Sequence, residues 1–376
     1  MYIRLDIKNW KHQNRILRVV KMRELIFWIL YGISVIAIVY RINKALLYFN
    51  GRLKKKNTEV LLPELSIIQF IEGIGESVEL NIINNMKKLS KSNFIFVIEN
   101  DKTNIINKIE KIMKKGEYSN FIIVEVEENL NYGRKLETAL EEAKQYVIVL
   151  DENIELEGNI SEILEELSIK SFVVNGLLYG AKEGKALVGL STAFYNSHRI
   201  FTDLSLAEVE KTQRVNKKFW CFRKETILDN HIFLELTENT IDEFELANIL
   251  KEKNIDVFQS RVVGKNSYEV TDFSDFTENI GEEVEGFYST VKDTVSLSVH
   301  VLTIIPLVLP SITLIYASFL GMNYATLVIT SLLLKAADTY VIRKLIVEKT
   351  LWYGEILREF IIDVFGVIIV FFRKSR

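Results

Sequence analysis

The sequence predicts an α/β protein, a mixed sheet covered by helices, with apolar membrane segments at both ends. Three observations predict it. From about residue 61 to residue 292 strand-like and helix-like runs alternate, as in a mostly parallel sheet with covering helices. Leu25 to Tyr40 reads LIFWILYGISVIAIVY, with no charge inside it. Apolar sequence then dominates again from Val295 onward. The expected division is a basic tail, transmembrane helix and linker over 1–60, an α/β domain over 61–292, and membrane and interfacial segments over 293–376.

At 1.5 Å rise per residue the first apolar run is roughly 24 Å long, slightly short of the ~30 Å hydrocarbon core. It is apolar around its whole circumference, which separates it from a surface helix; a buried soluble helix is the other reading. It starts too far into the chain for a cleavable signal peptide, and no small-residue cleavage site follows. Both flanks are basic (Lys21 and Arg23 before, Arg41 and Lys44 after), so charge asymmetry gives no orientation for this span. The basic end Arg373-Lys374-Ser375-Arg376 favours a cytoplasmic carboxyl terminus. Val295 to Leu320 contains Pro306 and Pro310, and a break at Gly321-Met322-Asn323 precedes further apolar sequence to Leu334. The pattern reads as a kinked span followed by a second span or a re-entrant segment. Phe360 to Phe372 carries Asp363, which points to an interfacial position.

Within the middle region Leu65 to Ile71 reads as the first strand and Glu76 to Leu89 as a helix, with Val78, Ile82, Ile83, Met86 and Leu89 on one face. Asn93 to Ile98 is the second strand and runs into Glu99-Asn100-Asp101. A helix over Asn104 to Met113 and a third strand over Phe121 to Val126 follow. Asn131-Tyr132-Gly133 opens a helical pattern through Leu136, Ala139, Leu140 and Ala143. The fourth strand, Val147-Ile148-Val149-Leu150, delivers Asp151-Glu152-Asn153 at its end. Further strands are read at Lys170 to Leu178, Phe219 to Lys224 and Ile255 to Val263, with an amphipathic helix over Asp242 to Lys253. Glu278 to Glu285 reads as a solvated or interfacial acidic helix.

A formal charge of -3 speaks against a nucleic-acid partner, which calls for a strongly basic domain. A single cysteine, Cys221, excludes a disulfide framework and a cysteine zinc site. His12, His198, His231 and His300 lack the spacing of a histidine metal site. That leaves the strand-end acids. A buried strand presenting a carboxylate at its carboxyl edge is how α/β sheets offer chemistry to a ligand. Plainer readings stand beside each: a polar turn for Glu99-Asn100-Asp101, and the ordinary preference for acids at a helix start for Asp242-Glu243.

The order of elements, with a preceding span and trailing apolar segments, resembles the membrane-bound family 2-like glycosyltransferases, and within them most the ceramide glucosyltransferase branch. The resemblance covers roughly Leu25 to Arg376 and implies a GT-A (Rossmann-like) domain with a cytoplasmic catalytic face. It implies transfer of sugar from a nucleotide-sugar donor, a UDP-sugar, to a lipid or lipid-linked acceptor. The family's opening glycine is matched by Gly73, without its proline and lysine. Its nucleotide-contacting acid falls on Glu99-Asn100-Asp101, and its lysine-bearing segment on Asn131-Tyr132-Gly133-Arg134-Lys135-Leu136. Its metal motif reads Asp151-Glu152-Asn153, its following strand Val174-Asn175-Gly176-Leu177-Leu178-Tyr179, and its catalytic pair Asp242-Glu243 with the two acids exchanged. The closing Arg-Trp motif is absent from Phe276 to Glu285.

The resemblance therefore implies a divalent metal, Mg²⁺ or Mn²⁺, on Asp151 and Asn153 with help from Glu152. It implies nucleotide contacts from Glu99, Asn100, Asp101 and Lys135, and a general base at Glu243 with Asp242 as alternate. The departures leave two other readings open: a catalytically degenerate transferase acting as a membrane-anchored partner, and a membrane scaffold that binds no nucleotide.

Overall fold

The computed structural model describes residues 2–51, 64–169, 172–180, 186–209, 214–236, 243–266, 301–347 and 354–373. The chain divides into two compact units, Lys44–Val295 and Met1–Asn43 with Ser296–Arg376.

The first unit is built on one eight-stranded sheet in the order β3-β2-β1-β4-β7-β6-β8-β5. Its strands are β1 (Leu65–Phe70), β2 (Asn93–Glu99), β3 (Phe121–Val126), β4 (Tyr146–Leu150), β5 (Ile154–Leu156), β6 (Val173–Gly180), β7 (Phe219–Arg223) and β8 (Val257–Asn266). β1, β2, β3 and β4 are mutually parallel where they pair, and β7 enters antiparallel between β4 and β6. Both faces of the sheet are covered, which is why the central strands are buried along nearly their whole length without alternation. Leu65, Ile67, Phe94, Phe96 and Ile148 pack with α2 (Glu76–Lys88), α3 (Thr103–Lys115) and α5 (Ser161–Ile169). Ile68, Ile95, Val97, Val147 and Trp220 face α4 (Tyr132–Glu141), α8 (Lys224–Leu228), α9 (Ile232–Glu235) and α10 (Glu243–Glu252). Neighbouring residues of one strand thus belong to opposite cores, the period-2 rule of a pleated strand.

The strands expected from sequence lie within a few residues of those observed. β5, α5 and the run α6 (Ala186–Phe194), a π-helical turn (Tyr195–Arg199) and α7 (Ile200–Val209) were not foreseen. The sheet also turns back on itself in order. From β1 the chain moves outward to β2 and β3, then returns to β4 on the other side of β1. The crevice outside the carboxyl ends of β1 and β4 is therefore the switch point where ligands bind in such sheets.

The second unit holds most of α1 (Tyr2–Gly51) with α11 (Ile304–Leu320), α12 (Met322–Val347) and α13 (Gly354–Arg373). The break read at Gly321 is real: Gly321 has φ of +135°, and its N–H closes α11 on the Ala317 carbonyl at 3.1 Å. α12 continues well past Leu334, to Val347. Phe27 stacks on Tyr31 and meets the Tyr324 ring edge-on, within a cluster containing Ala317, Val328 and Leu332. Asp363 is buried and bonded to Lys335 of α12 at 2.5 Å. Its charge is met inside the helical unit. By length and composition alone, Arg18–Tyr48 and Met322–Ile342 are long and apolar enough to cross a membrane, and Ile305–Leu320 is a shorter apolar helix. The acidic stretch Glu278 to Glu285 lies outside the described residues.

Candidate functional site

A cleft of about 350 Å³ opens at that switch point, at the carboxyl ends of β1, β2 and β4. On its β2 side Glu99 ends the strand and receives Lys102 Nζ at 2.6 Å and Lys135 Nζ at 2.7 Å. Hydrogen bonding from Lys102, then from Lys135, holds the Glu99 carboxyl below its usual value against the opposing effect of burial. Lys135 reaches this place because α4 begins three residues earlier, at Tyr132. Its N-cap Asn131 accepts the Arg134 N–H at 2.9 Å, which fixes the first turn and puts Tyr132 and Lys135 on the cleft side. Tyr132 packs against Phe70 at the end of β1, with ring centroids 4.8 Å apart.

Gly133 has a packing role in this turn. A Cβ there would lie 2.1 Å from the Phe233 carbonyl oxygen and 2.8 Å from that of Leu236. The Gly133 N–H also donates to the Leu236 carbonyl at 3.3 Å. Gly133→Ala is therefore expected to push α9 away from α4 and cost roughly 1–3 kcal/mol, as overpacking does. Denaturant or thermal unfolding measures it, and an unchanged midpoint would refute the close approach.

The floor of the cleft is the end of β4. Asp151 Oδ1 accepts the Asn153 N–H at 2.9 Å, closing a tight turn that carries both side chains into the cleft. The Asp151 N–H donates to the Lys218 carbonyl at 2.9 Å. Glu152 lines the cleft as well, and its Oε2 accepts the Glu72 N–H at 2.8 Å and the Gly73 N–H at 3.4 Å. Burial pushes the Glu152 carboxyl up to about 7, opposed by these two backbone bonds. These bonds pin the loop after β1. α2 holds the turn between β4 and β5 from behind through asparagines one turn apart. Asn81 donates to the Glu152 carbonyl at 3.3 Å, while the buried Asn85 donates to the Ile154 carbonyl and accepts the Leu156 N–H, both at 2.8 Å.

The third wall comes from the turn before β7, where Lys217 and Lys218 line the cleft. Just behind it, Glu243 starts α10. Its carboxylate accepts from Arg199 Nη2 at 3.0 and 2.8 Å, from Arg214 Nε at 2.7 Å, and from the Lys217 N–H at 3.2 Å. Arg199 comes from the π-helical turn, a distortion common at functional sites, and is also 3.6 Å from Asp203.

Of the residues expected from sequence, Glu99, Lys135, Asp151 and Asn153 meet in one cleft. Asn100 and Asp101 lie in an exposed turn and are not among its lining residues. Glu243 sits behind the lysine turn, and Asp242 lies outside the described residues. The cations Lys102, Lys217 and Lys218, and the Arg199–Glu243–Arg214 group, were not foreseen. A sequence signal for the last existed: His198-Arg199 interrupts an apolar helical run from Ala186 to Leu204, and a charge so placed requires a partner.

Among the described residues no group of three His, Cys, Asp or Glu side chains could hold a metal ion. A cation carried wholly by protein does not fit. Mg²⁺-type sites, however, commonly use one or two carboxylates and complete their shell with substrate phosphates. Asp151 and Asn153 suit that shared arrangement.

No family model and no curated protein matches this sequence. In three dimensions the chain is similar to mannosyltransferase PcManGT from Pyrobaculum calidifontis, solved in complex with GDP-Man and Mn²⁺. The two are 14% identical over 90% of this chain and 99% of that one, with a TM-score of 0.50. GalNAc-T7 with UDP, GalNAc and Mn²⁺ gives 12% identity, 63% and 50% coverage and a TM-score of 0.42. S. aureus TarS 1-349 in complex with UDP-GlcNAc gives 12%, 83% and 92%, and 0.36. At such identities the likeness is one of fold: a mixed α/β sheet domain of the GT-A glycosyltransferase kind.

Proposed function

We propose that the chain is a membrane-bound glycosyltransferase that moves a sugar from a nucleotide-sugar donor, a UDP-sugar, to a lipid or lipid-linked acceptor, in the manner of the ceramide glucosyltransferase branch. The observation that carries it is the cleft at the switch point of a GT-A sheet, where Glu99 with Lys135 faces Asp151 with Asn153. In this reading residues 61–292 form the catalytic domain, and the flanking segments hold it at the membrane with its cleft on the cytoplasmic side. The exposed apolar side chains of Leu25, Trp28, Ile29 and Ile36 on α1 support the membrane attachment.

The residues then divide the work. Glu99 and Lys135 receive the nucleoside end, with the exposed Asn100-Asp101 turn at its rim. Asp151 and Asn153 would hold Mg²⁺ or Mn²⁺ together with the donor's phosphates, and such an ion would supply positive charge to the leaving diphosphate. Glu243, with Asp242 as alternate, is the candidate base for the acceptor hydroxyl, and it must exchange an arginine hydrogen bond for that hydroxyl before it can act.

Thermal unfolding of the purified full-length chain tests this. UDP with Mn²⁺ is expected to raise Tm, because a ligand at ~100 times its Kd adds about 2.7 kcal/mol of stability. Mn²⁺ alone is expected to do little, since the protein supplies too few ligands. No response to UDP or GDP with Mn²⁺ would remove the proposal. That outcome would favour a degenerate partner protein, a reading already motivated by Asn153 in place of a second carboxylate and by the engaged Glu243.

A further inference from the structure

We propose that Lys217 and Lys218 are donor-binding residues that clamp the diphosphate from the antiparallel side of the sheet, across from Asp151. The assignment rests on the nucleotide-sugar reading above.

The strand direction is what puts these lysines there. In a parallel sheet the residues before a strand sit on the rim opposite the ligand crevice. β7 is antiparallel to β4, with Leu150 opposite Phe219, so the residues before Phe219 emerge on the same rim as Asp151. The next rung is closed by the Asp151 N–H on the Lys218 carbonyl, at 2.9 Å. Lys217 and Lys218 occupy a turn rather than extended strand, so two adjacent side chains can both line the cleft.

Their backbone is fixed by polar side chains that are themselves held. Glu243 Oε1 accepts the Lys217 N–H, and Asn216 Oδ1 accepts the Lys218 N–H, each at 3.2 Å. Asn216 is buried, donating to the Gly176 carbonyl at 3.3 Å while its own N–H meets Asn175 Oδ1 at 3.0 Å. A turn held this firmly at its main chain, with two long cationic side chains at the cleft, is preorganised for a dianionic group.

Charge decides what the lysines are for. The cations of the opposite wall, Lys102 and Lys135, are already bonded to Glu99. The metal motif has an amide, Asn153, where a second carboxylate would hold the cation more tightly. A diphosphate leaving this cleft draws on positive charge from each wall, and the lysines of the turn before β7 add to it as point charges without fixed geometry. The lysines neutralise the share of phosphate charge that a weakly held metal leaves uncovered. No bond is made or broken by them.

The test is equilibrium binding of UDP and of uridine to the full-length chain, with Mn²⁺ and with EDTA. Wild type is expected to keep measurable UDP affinity in EDTA, falling as salt rises. Lys217→Gln with Lys218→Gln is expected to weaken UDP at least tenfold in both conditions and to leave uridine unchanged. The single Lys217→Gln change, at an exposed side chain, guards against misfolding and should show part of the loss. Equal UDP affinity in variant and wild type would overturn the lysine assignment while leaving the transferase reading intact. Loss of uridine and UDP in proportion would overturn it too, as a structural effect. A wild type that binds no UDP even with Mn²⁺ would remove the underlying reading and this one with it.

Discussion

Asp151→Asn is expected to abolish Mn²⁺-linked nucleotide binding and to cut sugar transfer by ~10²-fold or more, while leaving the fold as it is. The expectation follows from how little else the substitution changes. Asparagine keeps the Oδ1 acceptor for the Asn153 N–H, so the turn at the end of β4 survives. The main-chain bond from residue 151 to the Lys218 carbonyl does not involve the side chain. What goes is one negative charge at the end of β4; Glu152, which also lines the cleft, has its Oε2 bonded to the loop after β1. Metal stabilisation of a departing diphosphate is worth several kcal/mol, and each ~1.4 kcal/mol is a factor of ten in rate. Calorimetry of UDP with Mn²⁺ on the variant, beside its unfolding midpoint, separates the two effects. An unchanged affinity for UDP–Mn²⁺ would place the metal somewhere other than Asp151.

The fold was legible because two physical periods were clean. β2 runs apolar from Phe94 to Ile98, β1 is apolar but for Ser66 and Gln69, and α3 places Ile105, Ile109, Ile112 and Met113 on one face, so each element can be read without its neighbours. The strand-end acids were legible for the same reason, since a carboxylate directly after a buried strand must sit on a rim. What the sequence hid was pairing. Nothing local says that Phe219–Arg223 runs antiparallel, yet that direction alone moves Lys217 and Lys218 to the ligand side. β5 is three residues long and is held by Asn85 of α2 and by β8, partners distant in the chain. Glu152, read as a helper ligand, does line the cleft, but the bonds from its Oε2 to the loop after β1 were hidden in the sequence. Gly133, read from sequence only as part of a helix opening, answers to carbonyls of Phe233 and Leu236, about a hundred residues away.

Glu243→Ala is expected to cost about 3–5 kcal/mol of stability, the typical penalty for removing one partner of a buried ion pair. The carboxylate stands between two guanidinium groups, with side-chain exposure of 13% for Glu243, 7% for Arg199 and 10% for Arg214. Truncation leaves both arginines with less anionic compensation and unties the Lys217 N–H. A domain of this size loses roughly 2–4 °C in Tm per kcal/mol, so the expected fall is on the order of 10 °C. The magnitude discriminates between readings. An acid that merely complements a helix start is worth roughly 0.3–1 kcal/mol, so a loss below that would reduce Glu243 to a dipole residue. A second variant separates structure from catalysis. Adding Arg214→Gln to Glu243→Gln removes one uncompensated charge and should recover part of the stability lost in Glu243→Gln alone. It cannot restore a carboxylate to take the acceptor's proton. Stability recovered without transfer identifies Glu243 as the base as well as the anchor of the arginines. Transfer recovered with stability makes it an anchor only, and moves the base to Asp242.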